Sequence, residues 1–165
     1  TENLVNTKYV DDLLGYLKEN QLPPDAIKLE ITERVLMDDL GDVVVANLGK
    51  LREIGIGISL DDFGTGYASL VHLQAFPVDE IKIDRSFIAG LGTDANKGEI
   101  VHAMLGLAKT LGLVTVAEGI ETQGEALRLA AWGCDFGQGY LFDRPMPFEQ
   151  AKRLMAGQHR HRKHN

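Results

Sequence analysis

Little in this sequence supports disulfide cross-linking, membrane insertion or the tracking of nucleic acid. A single cysteine, Cys134, rules out an intrachain disulfide and reads as a small, buried, apolar-like residue in a reducing compartment. No apolar run approaches the ~20 residues needed to span a bilayer, and the N-terminus has no basic, apolar and cleavage-site succession. The expected location is cytoplasmic, without membrane contact by this domain, though a longer parent protein would be free to be membrane-tethered. Basic residues are also scarce. Against 24 Asp and Glu stand 17 Lys and Arg, for a net charge of -7, and Arg160, Arg162 and Lys163 fall together at the end of the chain. So acidic a body argues against a nucleic-acid partner but leaves room for a phosphate substrate bridged by metal.

What is present is an ordinary globular composition, 44% hydrophobic and 25% charged over 165 residues, enough for one domain with a core. The chain is organised around Ile58-Ser59-Leu60-Asp61-Asp62-Phe63-Gly64-Thr65-Gly66-Tyr67. An apolar, β-branched run there ends in two adjacent carboxylates and a glycine-punctuated turn, which reads as a strand delivering acids into a loop. Neighbouring aspartates repel and are costly to bury unpartnered, so a divalent cation is the economical partner. Gly64 and Gly66 are read as letting a ligand approach the backbone beside the acids.

Along the chain, helical periodicity is expected over residues 8–19, 43–53, 69–75, 98–111, 123–132 and 148–155, and strand signals over 26–31, 54–62, 80–84, 113–117 and 134–139. The run 113–117 is nearly continuous in apolar residues, which suits a strand covered on both faces. Alternation of this kind implies parallel βα units. Glu30, Asp61 and Asp62, Lys82 and Asp84, Glu118 and Gln138 recur at the C-terminal ends of successive strands. Chemistry at that rim, drawn from five strands, favours a (β/α)8 barrel over a doubly wound sheet. A whole barrel takes about 250 residues, so about five βα units make an incomplete one. Residues 1–157 are read as the domain and 158–165 as a basic, His-rich, disordered tail.

The runs Leu29-Glu30-Ile31-Thr32-Glu33, Asp61-Asp62-Phe63-Gly64-Thr65-Gly66-Tyr67, Ile81-Lys82-Ile83-Asp84-Arg85-Ser86-Phe87, Ala117-Glu118-Gly119-Ile120-Glu121-Thr122 and Gly137-Gln138-Gly139-Tyr140-Leu141-Phe142 resemble, in order, the signatures of the EAL-domain phosphodiesterases. That family hydrolyses cyclic di-GMP to linear pGpG in bacterial second-messenger signalling. The resemblance implies that Glu30, Asp61, Asp62 and Glu118 ligate two Mg²⁺ or Mn²⁺ ions. It implies catalytic roles for Lys82, holding water and phosphate oxygens, and for Glu118, as a general base. Glu33 and Glu121 would order the loop that couples site to dimer interface, Asp84 would support the site from outside the ligand set, and Gln138 would meet the substrate. Implied partners are cyclic di-GMP, a second copy in a homodimer, and an upstream sensory or GGDEF domain.

Two features depart from the family pattern. The naming Glu-Ala-Leu belongs on the family's first strand, whereas Glu125-Ala126-Leu127 of this chain falls in a helical pattern between the Glu118 and Gln138 motifs and is a decoy. The true signature, with a further metal-binding Asn, would precede Thr1, so the 165 residues alone are expected to be catalytically crippled. The alternative reading is a degenerate EAL domain that binds cyclic di-GMP as a receptor or interaction module. Against it, every acid that the visible motifs require is present.

Overall fold

A computed structural model describes residue 4 and residues 7–37, 41–66, 70–92 and 94–161. Five parallel strands, β1 (Lys28–Thr32), β2 (Gly57–Phe63), β3 (Glu80–Ile83), β4 (Val114–Ala117) and β5 (Phe136–Gly137), form one sheet in chain order. Among the described residues seven α-helices join or flank them: α1 (Thr7–Glu19), α2 (Gly41–Glu53), α3 (Leu70–Ala75), α4 (Arg85–Ile88), α5 (Ala95–Leu111), α6 (Gln123–Ala131) and α7 (Phe148–His161). Strands added in sequential order by helical crossovers are the arrangement of a (β/α)8 barrel, here five strands wide.

The helices begin and end where local chemistry directs. Asp94 caps α5 by accepting from the Asn96 and Lys97 amides, which starts that helix three residues ahead of the expected Gly98, and Gly112, at φ 70°, closes it. Thr122 and Glu125 form a reciprocal capping box at the start of α6. Helix α7 runs to His161, past the expected end at 155 and into the segment read as a tail; residues 162–165 lie outside the described residues.

Strand register sorts side chains onto two faces, because partners in a parallel ladder point the same way and alternate along each strand. Ile31, Leu60, Ile81 and Thr115 lie abreast on one face, with Ile83 beside Ala117. Helices cover that face. Val10 and Leu17 of α1, Val44, Leu48 and Leu51 of α2 and Ala108 of α5 join Ile31, Ile58, Leu60 and Ile81 in the main core. Ile83, Ile88, Val101, Ala117 and Leu129 form a second core under α4, α5 and α6. Cys134 packs against that cluster half-buried, and burial raises its thiol pKa.

The other face carries Glu30, Ser59, Glu80 and Val114 abreast, with Lys82 beside Val116 and Thr32 beside Asp61. No described helix covers it at β4, where Val114 is 36% exposed. The apolar run of β4 thus continues onto the side that faces the interior of a barrel, which these five strands leave open.

Candidate active site

At the C-terminal rim, the β2–β3 ladder is irregular. Leu60 pairs with Ile81 and Phe63 with Ile83, so Asp61 and Asp62 together oppose the single residue Lys82. This is a bulge, which inserts an extra residue and re-aims the side chains around it. Asp62 takes the left-handed conformation, φ 55°, sparsely populated for a residue with a Cβ. In a regular strand two consecutive carboxylates would point to opposite faces. Here Asp61, Asp62 and Glu118 each place a carboxylate oxygen within 4.8 Å of the others.

Lys82 is the hub. Its Nζ lies 2.7 Å from Glu118 Oε1, 3.0 Å from Asp61 Oδ1 and 3.0 Å from Glu30 Oε1, while its side chain is 9% exposed. Burial acts to lower its pKa, but Glu118, Asp61 and Glu30 outweigh that and hold it well above the ordinary lysine range. Lys82 is therefore a fixed cation at neutral pH. Glu118 Oε1 also accepts from Gln138 Nε2 at 2.6 Å. Glu30 reaches the group through Lys82 and is half-exposed; it is not one of the three clustered carboxylates. Asp61 Oδ1 is buried, and the Lys82 ammonium meets it at 3.0 Å.

Three carboxylates meet one ammonium, and a fourth, Asp62, lies beside two of them, so the group holds negative charge in excess. An all-oxygen donor set of this kind fits a hard divalent ion such as Mg²⁺ or Mn²⁺.

The remaining expected residues occupy distinct places. Glu33, 5% exposed, accepts from the Gly64 amide at 2.8 Å and so ties the 3₁₀ segment Glu33–Met37 to the turn that follows the two aspartates. Its Oε2 is buried without a hydrogen bond. Gly64 and Gly66 make room for protein rather than ligand. At φ 99° a Cβ on Gly64 would meet Met104 and Phe87, and one on Gly66 would meet the Glu33 carboxylate. Asp84 caps α4 through the Ser86 amide, and its carboxyl lies below the ordinary aspartate range because the Ser86 and Arg85 hydrogen bonds outweigh its burial. Glu121 is exposed on the wall of a cavity of about 610 Å³ that Glu118, Gln138, Arg85, Tyr140 and Arg144 also line. Arg144 stacks 4.5 Å from the Tyr140 ring centroid.

Glu125 is buried in α6 and accepts the Glu121, Thr122 and Gly90 amides, so the chain's Glu-Ala-Leu serves a helix cap. The signal for that role was Thr122-Gln123-Gly124-Glu125, a capping-box spacing. Unforeseen too was Glu80, buried beneath Lys82 and paired to Lys28 and Ser59.

Comparisons with known proteins place the chain in a family. The family model described as "EAL domain" matches residues 1–145. The chain is 45% identical over 141 residues to the bifunctional diguanylate cyclase/cyclic di-GMP phosphodiesterase MucR of Pseudomonas aeruginosa, covering 86% of this chain but 20% of MucR. The solved MucR phosphodiesterase in complex with c-di-GMP superposes with a TM-score of 0.84 at 42% identity, over 90% of this chain and 60% of that one. The manganese/cy-diGMP complex of BlrP1 from Klebsiella pneumoniae gives a TM-score of 0.75 at 33% identity, over 85% of this chain and 36% of that one. The chain belongs to the EAL domain family.

Proposed function

We propose that this chain carries the metal and proton-transfer rim of a phosphodiesterase that hydrolyses cyclic di-GMP to pGpG in bacterial signalling. The observation that carries the reading is the Lys82 hub, which draws Glu30, Asp61 and Glu118 from three other strands onto one ammonium beside the Asp61, Asp62 and Glu118 cluster. Asp61, Asp62 and Glu118, with Glu30 adjoining, are the residues that would hold Mg²⁺ or Mn²⁺. When bound, such ions neutralise a phosphodiester and make a water more acidic.

The chain's own groups supply the rest. Glu118, oriented by Gln138 and Lys82, takes the proton of the attacking water as general base. Oxygen adds to phosphorus, the bridging P–O ester bond breaks, and the ribose oxygen departs as an alkoxide that takes a proton from solvent water. Lys82, cationic throughout, stabilises the charge that accumulates on the phosphoryl oxygens. The cavity bounded by Arg85, Arg144 and Tyr140 receives the remainder of the dinucleotide, with guanidinium groups for phosphate and a ring for stacking. Glu33 holds the loop after Asp62 in place, and Glu121 lies where that cavity opens. A homodimer and an upstream sensory or GGDEF domain belong to this proposal, as does a cytoplasmic setting; among the described residues no helix is long and apolar enough to cross a membrane.

The test is incubation of the complete EAL domain, rather than these 165 residues alone, with cyclic di-GMP and Mg²⁺ or Mn²⁺, with products resolved by chromatography. Formation of pGpG, abolished by EDTA and in Asp61→Ala, is the expected result. Nucleotide binding without product would overturn it in favour of a receptor.

A further inference from the structure

One layer beneath Lys82 the same three strands carry a second cluster. Lys28 stands two residues before Glu30 on β1, Ser59 two before Asp61 on β2, and Glu80 two before Lys82 on β3. Strand residues two apart share a face, so each member of the lower layer sits under a member of the upper one. Glu80 Oε2 lies 2.5 Å from Lys28 Nζ, and Glu80 Oε1 accepts from Ser59 Oγ at 2.8 Å. The two layers repeat one figure with the charges exchanged. Above, a β3 cation reaches acids on β1 and β2; below, a β3 anion reaches a cation on β1 and a hydroxyl on β2.

The proposed chemistry does not use the lower layer, and a carboxylate that is 5% exposed carries a desolvation cost that an aliphatic residue would not. Its position suggests what the group does. The β2–β3 ladder is in register at Ser59 with Glu80 and Leu60 with Ile81, then breaks at the bulge holding Asp61 and Asp62. Asp61 stays paired to Thr32 of β1, but between β2 and β3 the regular pairing skips it, and it is against Lys82 of β3 that Asp61 has to be placed. The geometry points to Glu80 as a positioning residue, whose two carboxylate oxygens clasp β1 and β2 to β3 at the base of the bulge and so fix the heights of Glu30 and Asp61 relative to Lys82. This rests on reading the upper layer as the reaction site, yet it can be tested without nucleotide.

Glu80→Gln keeps the volume and an acceptor for Ser59 but loses the charge that holds Lys28. Lys28→Met breaks the same pair from its half-exposed end, and Lys28→Arg restores a cation. In the intact chain, the acylation rate of the Lys82 amine, followed by mass spectrometry of its peptide, reads the exposure of the hub; Mn²⁺ titration reads the carboxylates. Glu80→Gln and Lys28→Met are each expected to speed Lys82 acylation about fivefold and weaken Mn²⁺ binding about fivefold, with Lys28→Arg within about twofold of wild type. If thermal stability falls while Lys82 acylation stays within about twofold, the clasp serves only the fold and the proposal is overturned. Should Glu80→Gln fail to fold, the two Lys28 variants decide. Should wild type bind no Mn²⁺, the metal reading fails, while the acylation rates still uphold or overturn the clasp.

Discussion

The two faces of this sheet are built by opposite rules from neighbouring residues of the same strands. On the helix-covered face Ile58, Leu60, Ile81, Ile83 and Ala117 are fully buried aliphatic groups, stabilised by removal of area from water without regard to direction. On the other face Lys28, Glu30, Ser59, Asp61, Glu80 and Lys82 are held by specific partners at specific distances. Such a face gives up apolar burial and gains placement. The comparison teaches that one strand can divide its labour residue by residue, with Leu60 holding the fold and Asp61 holding the site.

Adjacent substitutions break that comparison most directly. Leu60→Ala empties a fully buried position and is expected to lower the unfolding free energy by about 2–5 kcal/mol. Asp61→Asn, one residue on, is expected to change it by less than about 1 kcal/mol, because it removes one of several like charges and leaves Lys82 paired to Glu30 and Glu118. Urea unfolding of both variants is the measurement. Equal losses would mean that the charged face stabilises the fold as much as the aliphatic one.

A carboxylate away from the site sharpens the contrast at a smaller scale. Burial favours the neutral form of Glu125, but the Glu121, Thr122 and Gly90 amides outweigh it and hold its pKa below the ordinary glutamate range. With the folded value depressed, its stabilisation is present above the unfolded pKa and is lost as pH falls through the folded one. Glu125→Gln is expected to cost about 1 kcal/mol at neutral pH, and the gap from wild type to narrow in acid. Chemical unfolding at both pH values checks the sign; a gap that widens in acid would contradict it.

How far the sequence discloses these arrangements depends on the range of the forces involved. All five strands and their parallel order follow from alternation, apolar runs and punctuation that are local to each segment, and the meeting of Asp61, Asp62, Lys82 and Glu118 was legible because charged residues at strand ends are conspicuous. The bulge was not, since it is a relation between β2 and β3 that neither strand carries alone. Nor was the true use of Gly64 and Gly66, whose neighbours Glu33, Phe87 and Met104 come from distant segments. Glu125 was legible as a decoy, a familiar triplet in a helical pattern, but its capping work was not foreseen.

The smallest expected effect isolates what the bulge asks of the backbone. Asp62 sits at φ 55°, a conformation that costs a residue with a Cβ roughly 1 kcal/mol and glycine almost nothing. Asp62→Gly relieves that strain but gains freedom in the unfolded chain, so its stability should lie within about 0.5 kcal/mol of wild type. Asp62→Ala keeps the strain without the carboxylate and should fall about 1 kcal/mol below the glycine variant. Both lose one of the three clustered oxygens, so both should bind Mn²⁺ more weakly to the same degree. The difference between Gly and Ala in urea unfolding therefore measures the strain, and their shared loss in Mn²⁺ titration measures the carboxylate. If Ala and Gly were equally stable, the left-handed turn would carry no strain, and the paired aspartates would need no conformational concession from the strand that presents them.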